Sequence, residues 1–392
     1  MKVFHCEHCS QPVFFENITC LTCGHALAFL PDIEVVGALE PSGELWHSPL
    51  PSAATCDYRL CENYARENVC NWAVRADDAH TLCIACRLTQ VIPDLAQPGH
   101  REAWYKLEVA KRRLVYTLLM LRLPVANKID DPQGGLAFDF LADSGAPGDA
   151  KVLTGHADGR ITINLAEAYD AEREKRRVDM HEPYRTVLGH CRHESGHYYW
   201  DRLLKDSDQL EAFRAIFGDE QVDYGAALQR HYAQGAPADW AERFISAYAS
   251  AHPWEDWAET WAHYLHMTDA LETAASCGVA LRPPNPQDPS LAPPRHPNQT
   301  PFERMLVDWV SLTYVLNNLN RGLGLPDGYP FVLSPAVVDK LRFVDAVVRA
   351  AQSATDGAVA DDSARDGLAP RPAAAPAAAT RASASAAVTK AV

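Results

Sequence analysis

At 392 residues, with 47% hydrophobic content and nine Trp, the chain is long enough for two domains and a sizeable core. A formal net charge of −15 disfavours a nucleic-acid partner, which needs a basic surface to offset phosphate charge. No apolar run is long enough to span a membrane, and the opening Met1–Cys6 lacks the apolar stretch of a secretory leader.

Nine of the 11 cysteines fall before residue 90. Cys6-x2-Cys9 and Cys20-x2-Cys23 form two knuckles, the spacing of four thiolates around one structural zinc. His5, His8 and His25 flank this site but are not needed by it. A second structural zinc is expected on Cys61, Cys70, Cys83 and Cys86, although only the last two have knuckle spacing and Cys56 could replace Cys61. Zinc rather than disulfide bonding implies a reducing compartment, so the cytoplasm is expected. The isolated Cys191 and Cys277 read as small buried hydrophobes.

Beyond this module, Trp104, Leu107, Ala110, Leu114, Leu118 and Leu121 recur at helical spacing. Two basic runs, Lys106–Arg113 and Arg173–Arg177, are mixed with acids and read as solvated helix faces. Residues 127–150 are rich in Asp, Gly and Pro and predict a loop. Val152–Gly155 and Arg160–Leu165 are β-prone runs around an Ala157-Asp158-Gly159 turn, with Arg160–Leu165 a candidate edge strand for a peptide. A helix through Glu167–Arg177 follows.

His193-Glu194-Ser195-Gly196-His197 then matches H-E-x-x-H. The segment from Pro183 to Leu204 predicts one helix, with Pro183 in its first turn. Histidines at i and i+4 project from one face, so both rings can bind a single zinc, and Glu194 is placed as general base. Asp201 could orient a ligand ring. Helices are expected over Leu210–Phe217, Tyr224–Gln234 and Ala238–Ser250.

A third zinc ligand is sought in the helix opened by Pro253 and continuing to Ala275. Glu255 and Glu259 share one face there, so one can bind the metal while the other accepts a hydrogen bond from a ligand histidine. His263 and His266 lie on a neighbouring face as lesser candidates. This stretch resembles the glutamate-zincins, and that resemblance implies Glu255 as ligand and Glu259 as the supporting carboxylate. Glu259 is a Glu where many relatives have Asp, which leaves it open as the ligand instead.

Prolines crowd 282–301. Thr300-Pro301-Phe302-Glu303 reads as a capping box opening a helix to about Arg321, and Ser334-Pro335 starts a last helix to about Ala350. The Ala-, Pro- and Ser-rich tail from 351 reads as disordered. The elements predict an α+β chain: a zinc-ribbon module over 1–95, a mostly helical catalytic domain with a small sheet over 96–350, and a tail over 351–392.

The two cysteine groups, the segment Gly189–Asp201 and the segment Pro253–Glu259 together resemble the bacterial zinc-binding metallopeptidase family with an amino-terminal zinc-ribbon domain, over roughly residues 1–350. The resemblance implies a zincin-like fold and a zinc metallopeptidase acting on a peptide or protein. Tyr248, Tyr264, His263 and His231 are candidates for the donor that meets the developing oxyanion. A binding module on an inactive scaffold, and hydrolysis of another bond, are the alternatives; the intact Glu194 argues against the first.

Overall fold

The computed structural model describes residues 1–143, 152–179, 182, 184–293 and 295–365. The amino-terminal part is built on strands that short apolar runs and tight turns dictate. β1 (Phe4–His5) and β2 (Pro12–Val13) form a small antiparallel pair carrying the first knuckle. β3 (Ala26–Leu30), β4 (Val35–Ser42), β5 (Leu45–His47), β6 (Asp57–Leu60) and β7 (Ala73–Arg75) follow as an antiparallel sheet in sequential order. The one-turn helix α1 (Glu62–Ala65) lies between the last two strands.

The longer helices carry the rest. α2 (His100–Met120) buries Trp104, Leu107, Leu114 and Leu118, as its periodicity predicts. It also buries Lys111 and Arg112, so the run Lys106–Arg113 is not simply a solvated face. A mixed sheet of order β10-β11-β9-β8 is built from β8 (Thr89–Val91), β9 (Ala137–Leu141), β10 (Gly155–Ala157) and β11 (Arg160–Asn164). β9 corrects the expected 127–150 loop: Ala-Phe-Asp-Phe-Leu is a short central strand hidden between turn-rich flanks, paired in parallel with β8 and β11. Residues 144–150 lie outside the described residues.

The Asp158-Gly159 turn forms as expected, both residues at positive φ (50° and 76°), as a tight hairpin between β10 and β11 requires. The edge assignment is corrected. The strand Arg160–Asn164 is flanked on both sides, and among the described residues β10 stands at one edge of the sheet and β8 at the other.

After the 3-10 turn Leu165–Ala168, α3 (Asp170–Asp179) leads to α4 (Val187–Leu203), which holds H-E-x-x-H. Thr186 caps its start, the side chain accepting from the Gly189 amide, so the helix begins later than the expected Pro183, which itself lies outside the described residues. α5 (Leu210–Phe217) and α6 (Tyr224–Gln234) follow. The single helix expected over 238–250 is instead α7 (Trp240–Arg243) and a 3-10 turn at Tyr248–Ala251. α8 (Pro253–Ser276) starts where Pro253 predicts, with His252 capping through Trp254 N–H.

α9 (Phe302–Gly322) has no capping box: its N-cap is Pro301, which has no side-chain acceptor, and the Thr300 hydroxyl donates to the His296 carbonyl. α10 (Pro335–Arg365) runs through the expected start of the tail, as an Ala-rich stretch of high helix propensity allows. Residues 366–392 lie outside the described residues. Cys277 is exposed rather than buried, at the end of α8. The α+β class holds. One hydrophobic core joins Cys6, Cys20 and the second cysteine group to α2, α4 and α8.

Candidate metal centres and active site

α4 and α8 pack against each other unusually closely at Gly196. A Cβ there would stand 2.8 Å from Ala258 Cα, so only glycine lets the two backbones meet. Trp257 Nε1 donates to the Gly196 carbonyl at 2.8 Å, and Trp261 Nε1 donates to Ser195 Oγ at 3.1 Å. Ser195 and Gly196, two of the three residues between the motif's histidines, thus lock the helices, which is what brings α8's carboxylates to the imidazoles.

Glu255 Oε2 lies 3.0 Å from His193 Nε2 and 3.6 Å from His197 Nε2. Nitrogen and oxygen ligands about 2.1 Å from a tetrahedral zinc are separated by roughly 3.4 Å, so this donor set fits the ion. The other carboxylate takes a different place. Glu259 Oε1 sits 2.7 Å from His193 Nδ1, on the side of the ring away from Glu255, and Ser246 Oγ donates to Glu259 Oε2 at 2.6 Å. Tyr224 donates to Glu255 Oε1 at 2.6 Å. His197 packs on Trp254, ring centroids 4.2 Å apart, and its Nδ1 has no hydrogen-bond partner among the described residues.

The electrostatics follow from this crowding. Burial opposes charge on His193, but Glu255 and Glu259 overcome it and push its pKa well up. Burial would raise Glu255, yet His197 and His193 hold it well below the usual carboxylate range. Glu194 goes the other way: burial raises it against the pull of His193 and His197. A cavity of about 650 Å³ opens over His193 and Glu194, with His231, Tyr232, Tyr248 and Glu259 also in its wall.

Of the other expected residues, Tyr264 donates to Asp345 and His263 meets the Tyr329 hydroxyl, so both are engaged in packing. His266 packs edge-to-face on Trp309 and Tyr329 and tilted against Tyr184. Asp201 pairs with Lys205 at 3.8 Å rather than with a ligand ring.

Both cysteine groups assemble. Cys6 to Cys23 and Cys9 to Cys20 are separated by 3.6 and 3.5 Å between sulfurs, and Cys70 to Cys83 by 3.8 Å. A tetrahedral zinc with bonds near 2.3 Å sets sulfurs roughly 3.8 Å apart, so the fit is close. Cys61 and Cys86 complete the second set, and Cys56 is outside it.

Residues 100–347 match the sequence model of the family described as "Putative zinc-binding metallo-peptidase", and residues 3–97 match a zinc-ribbon domain. The chain belongs to this metallopeptidase family. Uncharacterized proteins of Mycobacterium tuberculosis and Mycobacterium bovis are each 43% identical to it over 349 residues, covering 89% of this chain and 95% of the relative. No solved structure matches. Zinc binding is thus a property of the family, and no helix among the described residues is long and apolar enough to cross a membrane.

Sequence reasoning did not find Tyr224, Ser246 or His156. The last lies on β10 with its ring 6.1 Å from that of His197, and burial holds its pKa down to about 3. These residues belong to no motif. They converge on the candidate site only through α6, the loop before α8, and the sheet edge.

Proposed function

We propose that this member of the family is a zinc-dependent peptidase of zincin type. His193, His197 and Glu255 are its zinc ligands, and Cys6, Cys9, Cys20, Cys23 and Cys61, Cys70, Cys83, Cys86 hold two structural zinc ions. The observation that carries the reading is a division of labour among three carboxylates. Glu255 closes on both Nε2 atoms, Glu259 holds His193 Nδ1, and Glu194 faces the cavity with no hydrogen bond among the described residues.

When bound, zinc would supply a Lewis acid that polarises a carbonyl and lowers the pKa of water toward about 7. Glu194 would take a proton from the attacking water onto its carboxylate and pass it to the leaving amine nitrogen. Its raised affinity for protons, a consequence of burial, suits a group that must hold one between those two steps. With Tyr264 and His263 engaged elsewhere, Tyr248 and His231 in the cavity wall are the remaining candidate donors to the oxyanion, and Tyr248, whose ring centroid is 6.0 Å from that of His193, is the one beside a zinc ligand. Glu259 and Tyr224 orient the ligands. The free edge of β10 offers main-chain groups to an extended peptide. Cysteines kept as zinc ligands rather than joined in disulfides suit a reducing compartment such as the cytoplasm.

The test compares wild type with Glu194→Gln on an unstructured protein substrate. Activity should fall by about 10²–10⁴-fold while zinc content stays unchanged. Cleavage by neither protein, with zinc present in both, would leave a zinc-bearing scaffold and sink the peptidase reading.

A further inference from the structure

Three ionisable side chains of α2 lie in the core beside the second cysteine group, and no catalytic role uses them. Glu108, Lys111 and Arg112 are at most 1% exposed. Lys111 Nζ is 2.9 Å from Glu108 Oε1, and Arg112 Nη1 is 3.7 Å from Glu108 Oε2. Two cations thus face one carboxylate, and one positive charge is left over. A buried charge without compensation costs several kcal/mol.

What stands near that surplus is sulfur. Arg112 donates to the carbonyl of Val69, the residue before Cys70, and its Nε has no partner among the described residues. Although burial opposes its charge, Cys70, then Glu108, Cys86 and Cys83 act to hold it. Four neutral thiols could not balance a guanidinium. Four thiolates around a divalent ion carry a net charge of about −2, opposite in sign to the surplus and one unit larger. The sulfurs are also held by backbone donors, Trp72 N–H to Cys70 at 3.4 Å and Cys83 N–H to Cys61 at 3.3 Å. The first cysteine group differs: Cys9 and Cys23 are half-exposed, and solvent can meet its charge.

We propose that the second cysteine group is the joint between the ribbon and the peptidase region, its zinc-thiolate centre serving as the buried counter-anion of Arg112. Zinc binding there and the packing of α2 are then one linked equilibrium. The ion stabilises a helix that belongs to the peptidase-matching region although every ligand comes from the ribbon. Loss of that ion strands a cation in the core and loosens α2, which packs on α4 beneath the candidate active site.

The experiment uses the zinc-loaded full chain and needs no turnover, so it stands apart from the test of the peptidase reading. Wild type, Arg112→Met and Arg112→Lys are titrated with chelators of graded strength. Alkylation of each cysteine, followed by peptide mass spectrometry, reports which group has opened. Arg112→Met should open Cys61, Cys70, Cys83 and Cys86 at about 10–100-fold weaker chelation while Cys6, Cys9, Cys20 and Cys23 respond as in wild type. Arg112→Lys, which keeps the charge, should recover most of that resistance. Unchanged resistance in Arg112→Met overturns the proposal. If that variant does not fold, hydrogen exchange on wild type decides: α2 amides should lose protection as the second group opens, and unchanged protection overturns it.

Discussion

Glu255 and Glu259 have the same side chain, four residues apart on one helix face, and the structure gives them different work. Position along α8 is the cause: Glu255 reaches the Nε2 side of both imidazoles, and Glu259, one turn on, reaches only Nδ1 of His193. Removing a ligand and removing its orienting partner should therefore differ in degree. Glu255→Ala is expected to lose the active-site zinc outright. Glu259→Ala should retain it with about 10–100-fold lower affinity, read by competition with a chelator. Equal losses in the two variants would contradict the assignment. At this scale the sequence supplied the candidates but not the choice, since two carboxylates on one face satisfy the same spacing.

The α4–α8 pair is the element that converts spacing into a site. In an isolated helix, Gly196→Ala would gain about 1 kcal/mol of helix propensity. Here the new Cβ would meet Ala258 Cα at 2.8 Å and Trp261 at 3.2 Å, so the helices must part. Overpacking of this kind costs about 1–3 kcal/mol. Gly196→Ala is expected to lower the melting temperature and weaken active-site zinc together, because separation carries Glu255 away from both histidines. A raised melting temperature would count against the close-packing account. The glycine was visible in the motif, but its reason was not: nothing local says which helix will lie across it. The same limit explains the edge strand. The hairpin was legible from Asp158-Gly159, whereas the identity of the edge depended on β9, concealed in a segment whose Asp, Gly and Pro content reads as loop.

At the scale of the whole molecule, the ribbon and the peptidase region share a core and several polar clasps. Glu272 of α8 receives the Tyr116 hydroxyl of α2 at 2.7 Å, the Met1 amino group at 2.9 Å and a His296 contact at 3.4 Å. Burial opposes its charge, but these partners, His296 foremost, hold its carboxyl down to about 2. A depressed carboxylate stabilises the fold above its unfolded pKa, and that contribution is lost as pH falls toward the folded value. The window is therefore pH 4.5 down to about 2. A shift of this size corresponds to about 3 kcal/mol. Glu272→Gln should be less stable than wild type at neutral pH, and the gap should narrow through that window in urea unfolding. A gap that does not change with pH would show that Glu272 does not link the regions in this way.

By itself the sequence determined the residues whose chemistry needs only local spacing. Two knuckles bring thiolates together within a few residues, an i, i+4 pair aligns imidazoles on one helix turn, and Pro253 sets the start of α8. The tertiary structure decided what spacing cannot encode: which carboxylate stands beside both Nε2 atoms, which of the four candidate donors line the cavity without another partner among the described residues, and which strands are edges. It also placed the Arg112 guanidinium on the carbonyl of Val69, the residue before Cys70, in another region of the chain. The physical reason is that metal ligation, close packing and charge compensation depend on distances of a few ångströms between segments tens to more than a hundred residues apart, and only the assembled core fixes those distances.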